Sequence, residues 1–175
     1  MLSPVRTCAL AFALCSLLCA VPAWANPAQP VDPARLKPFL PPAWKGMERL
    51  SADAGPAGLA GKASEAKAHY KAALNGPGRL ELVLHVRDEG ANAARMYRDY
   101  GADYLKRDVR EDSQKSLVLG GRRFLLTRST PTSLGLETLV GDRWMVNLSC
   151  IEATEAQCVE AMGHVDLAGL EKLKP

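Results

Sequence analysis

The chain has 175 residues, a formal net charge of +3, and 47% apolar against 23% charged residues. A balance so near neutrality argues against nucleic acid as a partner, and the length suffices for one domain with a real core. No segment recurs at a period of roughly 20 to 50 residues and no long charge block occurs, which excludes repeat architectures and charged tails.

The first residues carry the three-part layout of a secretory signal peptide. Arg6 precedes an apolar run from Cys8 to Val21, Pro22 breaks it, and Ala23-Trp24-Ala25 forms an A-x-A cleavage site. The run has 14 residues, short of the ~20 needed to span a bilayer. Residues 1–25 are therefore expected to be removed on export, placing the mature protein in the periplasm with no membrane span. Residues 26–32 read as a loose leader and 33–175 as a single domain. Cys8, Cys15 and Cys19 leave with the signal, so Cys150 and Cys158 remain in an oxidising compartment.

Asp32 followed by Pro33 predicts a capped short helix through Leu36 and Phe39, ended by Pro41-Pro42. Residues 51–62 are rich in Gly and Ala and read as loop or a weak strand. Residues 64–73 have helical propensity but alternate in pattern. The turn signal Asn75-Gly76-Pro77-Gly78 and the strand pattern of 79–88 decide for a hairpin. Leu80, Leu82, Leu84 and Val86 share one face of the second strand; Glu81, His85 and Arg87 share the other. Residues 89–109 predict a long helix with Met96, Tyr97, Tyr100 and Tyr104 at helical spacing. Two hairpins follow, turning at Gly120-Gly121 and Gly141-Asp142. Trp144, Val146, Leu148 and Cys150 are expected on one face of the last strand. Thr154 and Gln157 form a capping box for the next helix, and Asp166 caps a final one carrying Leu167, Leu170 and Leu173. Hairpins with helices packed on their sheet mean an α+β domain with an antiparallel sheet.

Taken together, "PPAWKGMERL", "HVRDEG", "LVGDRWMVNLSC" and "VDLAGLEKL" occur in an order that resembles small exported proteins of proteobacteria, and more distantly the Mog1/PsbP-like α/β/α sandwich. The resemblance lies in element order and weak signatures. It implies an antiparallel sheet flanked by helices and accessory or partner-binding roles, and it carries over no functional residue.

Cys150 ends a strand and Cys158 lies in the first turns of the following helix, a spacing that lets the two side chains meet. A redox pair would want C-x-x-C and a thioredoxin-like element order, and neither is present. A structural disulfide is the expectation. His69 and His85 could face each other across the first hairpin, but two histidines with no third ligand make a poor metal site, and His164 stands apart. Ser129, Ser133 and Ser149 have no predicted histidine neighbour, so no nucleophile is assigned. No catalytic, cofactor or metal residue is expected.

Two surface features remain. Lys106, Arg107 and Arg110 end the long helix, and Arg122, Arg123 and Arg128 lie on the next hairpin. Together they suggest a binding patch for an acidic partner or an anionic envelope component. The three tyrosines suggest a groove between helix and sheet. The functional expectation is an exported, non-catalytic module that binds a protein partner as inhibitor, immunity or assembly factor. The alternative is a small-ligand or envelope-component binder, and a small enzyme comes third.

Overall fold

Apolar side chains at every second position can be buried together only if the strands lie side by side in one sheet, and that arrangement organises this molecule. The computed structural model describes residues 29–58, 61–73, 79–90, 110–111 and 113–174. The expected signal peptide, the turn at 75–78 and the expected long helix from residue 91 through 109 lie outside the described residues, as does the side chain of Arg110.

The strands are β1 (Met47–Ala57), β2 (Ala63–Ala72), β3 (Glu81–Asp88), the two-residue β4 (Arg110–Glu111), β5 (Gln114–Leu119), β6 (Arg122–Thr130), β7 (Ser133–Val140) and β8 (Trp144–Ile151). They form one antiparallel sheet in the order β1-β2-β3-β8-β7-β6-β5-β4. A 3-10 helix (Pro33–Phe39) and two α-helices, α1 (Glu155–Met162) and α2 (Leu167–Lys172), complete the described elements. The class is α+β.

Local signals act where the sequence places them. Asp32 accepts from the Ala34 amide, and Pro33 opens the first helix, which is 3-10 rather than α. Thr154 and Gln157 close a capping box on α1, and Asp166 accepts from the Gly169 amide at the start of α2. A Cβ on Gly169 would lie 2.1 Å from Asp166 Oδ2, so any side chain there would push the capping carboxylate aside. Gly120-Gly121 and Gly141-Asp142 all have positive φ, as primed hairpin turns demand.

For the segment 51–62, read as loop or a weak strand, the structure gives strand through Ala57: β1 runs eleven residues from Met47 and pairs along β2. Its Gly, Ala and Pro residues have little strand propensity of their own; the ladder to β2 supplies what propensity does not. It is an edge strand. Pro56, Glu48, Arg49 and Asp53, with a register shift between Arg49 and Ser51, blunt it against further pairing. The segment 64–73, whose helical propensity competed with its alternation, is strand β2.

One sheet face carries the core. Rows of side chains cross it: Leu84, Leu148 and Leu136 meet across β3, β8 and β7, and Leu82, Cys150 and Leu134 lie beside them. Leu36, Cys158, Ala161, Met162 and Leu170 cover that face from the three helices. Tyr70, 2% exposed, donates from Oη to the Pro41 carbonyl at 2.9 Å. Burial pushes its hydroxyl up to about 12, although the nearby Arg49 charge pulls the other way. Because the folded value lies above the ordinary 10, its share of stability is present below pH 10 and lost as pH rises toward about 12. Tyr70→Phe should lower stability at neutral pH by about 1 kcal/mol. It should also flatten the alkaline decline, which urea denaturation across that pH interval will show.

Candidate functional site

The second face of the sheet is half-buried and polar at its centre, and strand alternation decides which residues reach it. Cross-strand register brings Lys67 opposite His85, His85 opposite Asn147, and Asn147 opposite Glu137, across β2, β3, β8 and β7. The adjacent row holds Glu65, Arg87 and Met145. Glu65, His85, Arg87, Glu89, Glu137, Met145 and Asn147 line a depression of about 390 Å³.

The groups in it are joined to one another. His85 Nδ1 lies 2.9 Å from Glu65 Oε1, and Arg87 Nε lies 3.3 Å from the same oxygen. A second nitrogen of Arg87 lies 3.0 Å from Glu89 Oε1, so one guanidinium spans two carboxylates. Across the depression, Asn147 Nδ2 donates to Glu137 Oε2 at 3.1 Å. Burial raises the Glu137 carboxyl above its ordinary value. The Asn147 hydrogen bond opposes that rise, and the negative charge of Glu89 adds to it. A carboxyl shifted by desolvation and a like charge inside a depression makes this face a candidate site. Met145, 7% exposed, contributes an apolar surface among these charges.

The Glu137 shift has a stability sign. With the folded value above the unfolded one, the native state holds the proton longer, so stability falls as pH rises through the interval above 4.5. Glu137→Gln removes this loss. Its melting temperature should match that of the parent below the interval and exceed it at pH 7, as thermal scans at both pH values will report.

The structure places the sequence-derived candidates as follows. Cys150 and Cys158 are joined, with Sγ atoms 1.93 Å and Cα atoms 6.0 Å apart. Both are 1% exposed or less, so neither sulfur faces an external thiol. His69 is opposite Val83, while His85 is opposite Lys67, so the expected cross-hairpin histidine pair does not form. A slip of two residues in register separates them. His164 stacks on the Trp44 ring with centroids 4.7 Å apart. Among the described residues no group of three or more His, Cys, Asp or Glu side chains is placed to hold a metal.

The three arginines of the expected patch whose side chains are described do not share one sheet face. Arg122 and Arg128 lie on the helix-covered face. Arg122 pairs with Glu171 at 2.8 Å, and Arg128 donates to the Pro131 carbonyl and lies 3.8 Å from Glu155. Arg123, one residue along the strand from Arg122, projects to the opposite face because side chains alternate. Arg107 and the side chain of Arg110 lie outside the described residues, as do the three tyrosines of the expected helix groove.

Sequence reasoning noted His85 and Arg87 on a polar strand face but missed Glu65, Glu137 and Asn147 as their companions. The expected β2–β3 hairpin already sets Glu65 beside Arg87, but only the pairing of β3 with β8 brings Asn147 and Glu137 to them. The disulfide is compatible with an oxidising compartment, and no helix among the described residues is long and apolar enough to cross a membrane. Compared with known proteins, the chain matches no family model, no curated protein and no solved structure.

Proposed function

We propose that this chain is an exported, non-catalytic binding module that recognises a protein partner through the second face of its sheet. The observation that carries this reading is the charged network around the 390 Å³ depression, whose Glu65, His85, Arg87, Asn147 and Glu137 are supplied by four adjacent strands. Groups held by paired strands are pre-organised, so ordering them on contact costs little. The role in view is that of an inhibitor, immunity or assembly factor. The reading extends to export into the periplasm, which the disulfide supports; a Mog1/PsbP-like α/β/α arrangement would need helices on both sheet faces, and the described helices cover one. Of the arginines in the expected patch, Arg122 and Arg128 stand apart from this face, engaged with helix carboxylates.

The second reading is a small-ligand site, favoured by one observation: the volume of the depression falls within the range of small-molecule sites, roughly 300 to 1,000 Å³. Crosslinking in the periplasm of the native host, compared between the parent and Arg87→Ala, separates the two. Arg87 and its partners are partly exposed, so its removal should cost on the order of 1 kcal/mol. A single crosslinked protein that disappears in this folded variant supports the partner reading. A crosslink pattern that Arg87→Ala leaves intact overturns the assignment of the face, and turnover of a substrate by the purified protein overturns the non-catalytic reading itself.

A further inference from the structure

Within the depression, one carboxylate differs from the others. Glu65 and Glu89 are both answered by Arg87, and Glu65 also by His85. Glu137 is answered among the described residues by the uncharged amide of Asn147. Met145 lies in the row next to Glu137 and Asn147, opposite Arg87 on β3 and Leu139 on β7, and lines the same depression. A carboxylate beside an apolar surface, in a cavity of this size, fits a group with a charged head and a hydrocarbon stem. Lysine and arginine side chains are built that way, burying their methylenes while the cation meets its partner.

We propose that the depression receives a primary ammonium or guanidinium on an aliphatic stem, with Glu137 taking the cation, Met145 packing on the stem, and a basic side chain of the protein partner as its source. This rests on the binding reading above and names the partner's chemistry. The amide of Asn147 holds the Glu137 carboxylate in place, and the Arg87–Glu65–Glu89 cluster forms the opposite wall. Binding couples to protons: the cation favours ionised Glu137, so affinity strengthens as pH rises through the raised carboxyl range. The charged groups facing the site are Glu65, Glu89, His85, Arg87 and Lys67, with Arg123 on β6 two residues along from Leu125, the register partner of Glu137.

The test uses the exported chain and blocked tripeptides Gly-Lys-Gly and Gly-norleucine-Gly, with butylamine as a free cation, followed by NMR shift titration at pH 5 and pH 7.5. The lysine peptide should shift resonances around Met145 and Asn147 and bind at least ten-fold more tightly than its norleucine counterpart. Glu137→Gln should erase that preference and most of its pH dependence while the protein stays folded, since this variant removes a destabilising charge. Weaker binding of butylamine than of the peptide supports a protein side chain as source. Equal binding keeps the cation site but overturns the protein source in favour of a small amine. Equal binding of the lysine and norleucine peptides, or no binding of either cation, overturns the proposal. If the crosslinked partner survives in Glu137→Gln yet vanishes in Arg87→Ala, the cation assignment falls while the binding reading stands.

Discussion

Replacing Asp88 by alanine should destabilise the protein by about 3–5 kcal/mol, the range for breaking a buried ion pair by removing one partner. Asp88 is fully buried at the end of β3, and Arg143 is 13% exposed at the turn before β8. Arg143 donates to both oxygens of Asp88, at 2.7 Å and 3.0 Å, in a fork that fits the carboxylate plane. Asp88 also accepts from the amides of Val31 and Gly90, at 2.7 Å and 2.9 Å. Four donors therefore converge on one carboxylate, and its removal leaves them unsatisfied along with an uncompensated guanidinium.

The same pair fastens the start of the described chain. Arg143 donates to the Gln29 carbonyl, Val31 gives its amide to Asp88, and Ser64 donates from Oγ to the Val31 carbonyl. The guanidinium also lies 5.0 Å over the Trp144 ring. Asp88→Ala should accordingly lower Tm by on the order of 10 °C for a domain of this size. It should also make the peptide bonds near Gln29 cleavable by trace protease before global unfolding. A loss below about 1 kcal/mol by urea denaturation would show that the pair is not what holds the two segments. Replacing both partners with apolar residues should cost less than Asp88→Ala alone, because no charge is then left buried.

Removing the disulfide by Cys150→Ala with Cys158→Ala should cost about 2.5 kcal/mol for a loop of this length, plus a smaller loss from the packing of two buried sulfurs. The sequence separation is 8, and the bond ties the end of β8 to the fourth residue of α1. Besides that bond, the capping box and the burial of Cys158, Ala161 and Met162 hold α1 in place. The variant should therefore fold, with near-parental circular dichroism and a lower denaturation midpoint. Thiol titration of the unreduced, denatured parent should find no free thiol at either position. Efficient reduction of insulin by the native protein would overturn the structural role, against which the burial of both sulfurs argues.

These two linkages differ in how far the sequence announced them. Cys150 and Cys158 are neighbours by local rules, a strand end and a helix start within one turn of chain. Asp88 and Arg143 are 55 residues apart, and nothing near either residue names the other. The candidate site repeats the lesson. Each of Glu65, His85, Asn147 and Glu137 shows in the sequence as a polar residue in an alternating strand, but their convergence depends on strand order. The same alternation parts Arg122 from Arg123, two adjacent members of the expected patch.

What the sequence by itself determined is the set of features governed by a few adjacent residues: the caps at Asp32, Thr154 and Asp166, the primed turns at Gly120-Gly121 and Gly141-Asp142, the buried faces of β2, β3 and β8, and the cysteine pair. Capping, positive φ and period-two burial are short-range physics, and they act the same wherever the segment sits. Tertiary structure alone decided that β8 enters between β3 and β7, that the glycine- and alanine-rich β1 is a full strand, and that four strands bring their charges to one depression. Those outcomes come from packing one continuous apolar face across strands distant in the chain. That energy belongs to the assembled sheet, and no single segment carries it.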